Sequence, residues 1–347
     1  MLYKNNGTPV LEKELFQNPT AEYRGTPFWA WNCALEQEEL NWQLEVLKQM
    51  GFGGAHIHVR TGMKTPYLSD EYMNIVKACV EKAKNLDMLT WLYDEDRWPS
   101  GAAGGLVTKD KAYRARYLLF TRNVQQDYEF LIGCYEVELD EEGCLKSWKL
   151  VDENGDVLHE KWYAYLVLQK ESHRFNDQSY VDTLNKNAID RFIDITYESY
   201  RRSISQEFGS SVPAVFTDEP QFTRKSTLSF PLSKADVILP WTDDLPDTFF
   251  EIYGENLVEG IPELIWERVD GQISVLRYHY HDHVCERFVT AFADNCGNWC
   301  REHGIELTGH VLEEPTLYSQ TSVLGEAMRC YRSFGLPGID MLCARFE

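Results

Sequence analysis

Apolar runs that end in polar or acidic residues alternate along this chain with longer stretches of helical periodicity. Thr26–Asn32 (TPFWAWN) reads as a first strand. Leu35–Met50 follows, with Leu40, Leu44 and Leu47 on one helical face. Gly51–Gly54 marks a helix stop and a turn. Ala55–Arg60 (AHIHVR) reads as a second strand, and Asp70–Leu86 as a second helix with Tyr72, Ile75, Val76, Cys79 and Ala83 on one stripe. Met88–Asp94 (MLTWLYD) is a third strand. Three such alternations predict parallel βαβ units.

The pattern then changes. Residues 115–172 carry the β-rich runs YLLF, FLIGCYEVEL, KSWKL and YAYLVLQ, punctuated by EEG at 141–143 and ENGD at 153–156. These are hairpin signals and predict an antiparallel insertion. The alternation resumes with a helix over 182–207, for which Asp182 is a plausible N-cap. Strand Ala214–Thr217 ends in Asp218-Glu219-Pro220, and 221–260 reads as an irregular active-face loop. A helical region over 262–303, strand Glu306–Leu312 ending in Glu313-Glu314-Pro315, and a helix over 319–334 follow. Gly338–Cys343 opens a sixth strand. The expected fold is α/β, a (β/α)8 TIM-type barrel with an antiparallel insertion. Residues 1–114 carry three units, 115–172 the insertion, and 173–347 strands four to six. Six units of eight would leave open edges, so the chain is expected to be part of a longer protein.

Composition narrows the partners. A formal charge of −21 argues against nucleic acid, which needs clustered Lys and Arg, and against an anionic membrane surface. No apolar run approaches the ~18 residues that span a bilayer. The first residues, MLYKNNGTPVLEKEL, lack the apolar core of a signal peptide. The nine cysteines are odd in number and scattered, with no CxxC pair, which favours a reduced, cytoplasmic protein. Ten Trp and nineteen Tyr suit either a large aromatic core or a cleft that stacks on sugar faces.

In this barrel type the C-terminal strand ends build the site. Here they read Trp29, Trp31 and Asn32; His56, His58 and Arg60; Asp94, Glu95, Asp96, Arg97 and Trp98; Asp218 and Glu219; His310, Glu313 and Glu314; and Asp340. Core strands have no structural need to end this way repeatedly. Glycosidic cleavage uses two carboxyls, one to protonate the leaving oxygen and one as base or nucleophile. The TDEP and LEEP strand ends offer such a pair, although an acidic-Pro pair also simply ends a strand. His56 and His58 point to one side of a strand, as a metal pair, a sugar contact or packing. His279, His281 and His283 lack an HExxH spacing.

These residues together resemble the α-L-rhamnosidases of glycoside hydrolase family 106 and uncharacterised bacterial relatives. The resemblance is carried by PFWAWN at 27–32, the EEL…LEVLKQMGFGGAHI segment at 38–57 and LYDEDRWPSGAAGG at 92–105. It continues with FTDEP at 216–220 and with GHVLEEP and PGIDM between 309 and 341. It implies a (β/α)8 catalytic barrel, an inverting mechanism with two glutamates, and a longer full-length protein. It also allows a calcium ion near the site.

The leading expectation is therefore a hydrolase of an oligosaccharide or polysaccharide. Glu219 would be the general acid, raised by burial and by Asp218, and Glu314 or its neighbour Glu313 the general base. Substrate contacts are expected from Trp29, Trp31, Asn32, His56, His58, Arg60, Asp94, Asp96, Arg97, Trp98, Asp218 and His310. In the DEDRW segment, Asp94 or Asp96 should face the cleft, Arg97 should pair with a carboxylate and Trp98 should wall the cleft. The alternatives are a retaining glycosidase whose nucleophile sits on a further strand, a non-catalytic carbohydrate-binding protein, and a metal-dependent hydrolase centred on His56 and His58.

Overall fold

The computed structural model describes residue 10 and residues 12–341. The first strand, β1 (Phe28–Trp31), leads into a helix over Gln37–Gln49 and then β2 (Gly54–Val59). A helix over Asp70–Asn85 follows; the Ser69 hydroxyl caps it by accepting from the Tyr72 amide, and Tyr72, Val76, Cys79 and Ala83 bury its inner face. β3 (Leu89–Tyr93) completes the third unit.

The expected antiparallel strands form as β4 (Arg116–Thr121), β5 (Phe130–Leu139), β6 (Leu145–Val151) and β7 (Glu160–Leu168). The turn at 141–143 closes a β5–β6 hairpin, but the turn at 153–156 does not close one: it carries the chain past β5, and β7 pairs with β5 and β4 instead of β6. Helices over Lys186–Ile195 and Tyr197–Ile204 precede β8 (Ala214–Asp218). Asn185 caps the first of these, not Asp182. Asp182 is buried, where it accepts from Thr242 Oγ1 at 2.6 Å. β9 (Val237–Trp241) lies in the stretch expected to be irregular. It pairs antiparallel with β4, and its place at the sheet edge tolerates Pro240.

Helices over Val275–Phe288 and Asn295–Glu302, joined by a π-helical stretch at Val289–Asp294, lead to β10 (Glu306–His310). Short helices at Leu317–Val323 and Ala327–Tyr331 precede β11, which is only Leu336–Pro337. The sixth strand thus runs earlier and shorter than Gly338–Cys343. Pro337 has no N–H to extend the ladder, and Leu342 and Cys343 lie outside the described residues.

The strands form two sheets. A six-stranded sheet runs β1-β2-β3-β8-β10-β11 with every pair parallel, and a five-stranded antiparallel sheet runs β6-β5-β7-β4-β9. Closure into an eight-stranded barrel is not seen among the described residues: β1 and β11 are edges of an open sheet. The parallel sheet is nevertheless strongly curved. Phe28 on β1 meets Phe216 on β8 with ring centroids 5.1 Å apart, across two intervening strands.

One face of the curved sheet packs against helices through Trp29, Trp31, Ile57, Val59, Leu92, Val215 and Leu307. The other is a hollow. The antiparallel sheet shares the main core, with Phe120 and Trp162 packed on Trp266 at 5.9 and 5.2 Å. Among the described residues no helix is long and apolar enough to cross a membrane.

Candidate active site

Strand alternation places Phe28, His56, His58, Trp91, Tyr93, Phe216, Asp218 and His310 on the hollow face. Asp218 is the hub. It is buried, one oxygen accepts from the Tyr93 hydroxyl at 2.8 Å, and the other lies 3.2 Å from His310 Nε2. Gly309 allows this approach: its φ is +124°, and a Cβ there would lie 1.9 Å from the Thr217 carbonyl oxygen. Ser100 ties the third strand end to the same point, donating its amide to the Asp218 carbonyl and accepting the Asp218 amide at Oγ, both at 2.8 Å.

Glu219 leaves the strand with φ +47°, a left-handed conformation uncommon for a residue with a Cβ. Its carboxylate accepts from Trp98 Nε1. Burial holds the Glu219 carboxyl above its ordinary range; the Trp98 donor opposes this and the Asp218 charge adds to it. His310 Nε2 stands 4.0 Å from Glu219 Oε1 and 3.8 Å from Asp340 Oδ2. Burial would depress this imidazole, but Asp218, Glu219 and Asp340 outweigh burial and hold it above its ordinary value. The three carboxylates thus favour the charged form of His310.

The β2 histidines are the opposite case. Burial lowers His58 to about 4 and His56 to about 3, so both are neutral near pH 7. His58 Nε2 points at Asp218 Oδ2 from 3.9 Å and has no hydrogen-bond partner among the described residues. It is a buried polar atom free to meet a ligand.

Past β10 the two glutamates diverge. Glu313, with φ +60°, pairs with Arg224. Glu314 accepts from the Tyr331 hydroxyl and, at 3.3 Å, from the Asp340 amide. Of the pair, Glu314 is the one joined to the Glu219–His310–Asp340 group.

The DEDRW segment divides by role. Asp94 does not face the hollow: it is buried on the helical side, accepting from Ser100 Oγ at 2.5 Å and Tyr197 Oη at 2.8 Å. Burial pushes it up to about 7. Glu95 turns back into its own loop and accepts the amides of Asp96, Gly101, Ala102, Ala103 and Gly104. Asp96 pairs with Arg97 at 2.9 Å and borders a separate small cavity. Trp98 reaches Glu219.

Trp29 and Trp31 were expected in the cleft and are not there. They lie on the helix-covered face; Trp29 Nε1 donates to Gln43 at 2.7 Å, and Trp31 packs on Tyr72 at 5.7 Å. Both faces of a parallel strand are apolar, so periodicity alone could not choose the side. Asn32 and Arg60 are exposed just beyond β1 and β2. Sequence reasoning missed Tyr93 and Tyr331, whose hydroxyls hold Asp218 and Glu314. Tyr93 had a signal, since it shares strand parity with Trp91. Tyr331 had none, because it comes from a helix.

No family model matches the chain, and no curated protein matches it. Among solved structures, a rhamnosidase from Novosphingobium sp. PP1Y is similar with a TM-score of 0.59 at 11% identity, over 92% of this chain and 48% of that one. The chain thus spans about half the length of the solved enzyme it matches, and what the two share is a fold.

Proposed function

We propose that this chain carries the catalytic face of a glycoside hydrolase that acts on an α-L-rhamnoside or a similar sugar. The curved sheet is read as part of a (β/α)8 barrel, with the hollow at its C-terminal strand ends as the sugar site. The observation that carries the proposal is Glu219. It is a half-buried carboxyl with raised proton affinity, gripped by an indole N–H and set beside a histidine whose charged form is favoured, at a strand end. Such a group keeps its proton to higher pH than an ordinary glutamate and can deliver it to a leaving oxygen.

Glu314 takes the part of general base. Its two donors, Tyr331 Oη and the Asp340 amide, hold it as an oriented acceptor for a water proton. Asp340 does not suit that part: its ligand oxygen lies within 4.8 Å of that of Glu219, whereas an inverting pair needs roughly 6.5–9.5 Å to admit water. Asp340 instead anchors His310. Neutral His58 and the Trp98 ring are the sugar contacts.

Calcium fits this cluster poorly. Calcium takes about six to eight oxygen ligands, whereas Glu219, His310 and Asp340 converge around an imidazole nitrogen that already faces Asp218. His310, whose charged form the three carboxylates favour, takes the place of a cation there.

The test is turnover of an aryl α-L-rhamnoside panel by the wild type, Glu219→Gln and Glu314→Gln. Each variant should lose about 10²–10⁴-fold in kcat while keeping its melting temperature. Rescue of Glu219→Gln by substrates with an activated leaving group identifies the acid, because they need no protonation. Equal turnover by all three proteins refutes the assignment.

A further inference from the structure

A second cavity adjoins the Glu219 face. It has a volume of about 310 Å³ and lies against the antiparallel sheet, walled by Tyr117, Arg174, Phe175, Gln221, Phe222 and Arg224 among others. That size admits one sugar ring. Its connection to the acid is direct. The Arg174 guanidinium lies over the Trp98 ring at 5.3 Å, and Trp98 Nε1 donates to Glu219. Gln221, on the cavity wall, donates its amide to the Glu219 carbonyl at 3.4 Å.

We propose that this cavity is a subsite for an acidic sugar of the hexuronate type, with its carboxylate held by Arg174. The inference rests on the reading of Glu219 as the acid, which places the leaving group on this side of Trp98.

Charge carries the argument. The chain has 55 acidic residues against 34 Lys and Arg, so a cleft arginine has many potential partners. Among the described residues Arg174 pairs with none of them. Its Nη2 donates to the neutral Gln221 Oε1 at 3.2 Å, and its flat face rests on Trp98 and Phe175. Stacking fixes the plane of the guanidinium and leaves edge N–H groups available, which is the arrangement that grips a carboxylate through two parallel hydrogen bonds. Arg224 is the counter-example, since Glu313 already neutralises it. The aromatic walls supply flat apolar surface for a sugar ring, and the Gln169, Gln221 and Thr223 side chains supply hydroxyl partners.

Equilibrium binding tests the proposal without depending on turnover. The full chain is titrated with galacturonate and glucuronate, and with galactose and glucose as neutral counterparts. The wild type should bind at least one uronate about tenfold or more tightly than its neutral counterpart, with the preference weakening as salt rises. Arg174→Gln should abolish the preference, and Arg174→Lys, which keeps the charge but loses the fork, should retain only part of it. Arg174 is exposed, so both variants should fold. Equal affinity for uronate and neutral sugar in the wild type overturns the subsite, as does a preference that survives Arg174→Gln. If uronate binding depends on Arg174 but no glycoside is turned over, the subsite stands and the hydrolase reading falls.

Discussion

A carboxyl proposed to donate a proton needs its charged form disfavoured, and burial shifts Glu219 in that direction. In the proposed role of general acid its protonated form is the working one. The alkaline limb of kcat/KM should therefore fall above the ordinary glutamate value of about 4.3, and the limb should disappear in Glu219→Gln when an activated leaving group is used. A limb at the ordinary value would remove Glu219 as the acid. On the proposed reading His310, whose charged form Asp218, Glu219 and Asp340 favour, takes the place of a divalent ion there. Activity should survive prolonged dialysis against EDTA, measured as turnover before and after; a loss restored by calcium would contradict this account.

At the scale of elements, the loop after β3 is held by one side chain. Glu95 is buried and accepts five backbone amides, from Asp96 and from Gly101 through Gly104. Burial outweighs those donors and pushes its carboxyl up to about 8, with the neighbouring Asp94 charge adding to the rise. That loop carries Trp98 to Glu219 and Ser100 to Asp218, so Glu95 acts on the site through position. Glu95→Gln keeps the shape but sets an NH2 group against N–H donors. It should cost about 2–4 kcal/mol of stability, read as a fall in melting temperature, and should raise KM as Trp98 loses its place. An unchanged melting temperature would show that the loop is held by something else.

At the scale of the molecule, the histidines of the hollow pull pH stability in opposite directions. His310 is raised, so its contribution is complete below its unfolded value of about 6.5 and is lost as pH rises through the folded value. His56 and His58 are lowered to about 3 and about 4, so the unfolded chain binds more protons below pH ~6.5 and stability declines from there towards pH 4. The contribution of these histidines to the melting temperature should peak at pH ~6.5, and differences between wild-type and variant profiles isolate it from the carboxyls Asp94 and Glu219, whose raised values cost stability as pH rises. His58→Gln should flatten the acid side, and His310→Gln the alkaline side. Identical profiles in wild type and variants would mean that these groups are not coupled to folding.

Periodicity alone determined the succession of the parallel strands, the helices between them and the β5–β6 hairpin of the insertion, because each is set by local patterns of apolar residues and turn chemistry; that β7 pairs with β5 across the turn at 153–156 was decided by the sheet. The strand ends Asp218-Glu219 and Glu313-Glu314 were legible for the same reason. The tertiary structure decided which side each strand residue faces: Trp29 and Trp31 went to the helices and Phe28 to the hollow, since a parallel strand is apolar on both faces. It also recruited Val237–Trp241 to the antiparallel sheet from a stretch rich in turn residues. Above all, it decided which charges meet. Asp94, Glu95 and Asp96 are consecutive, yet they serve a buried helix contact, a loop anchor and an ion pair. Asp218, His310 and Asp340 are distant in sequence and converge on one nitrogen. Local pattern fixes the direction of a chain, but burial and charge partners depend on neighbours that only packing supplies.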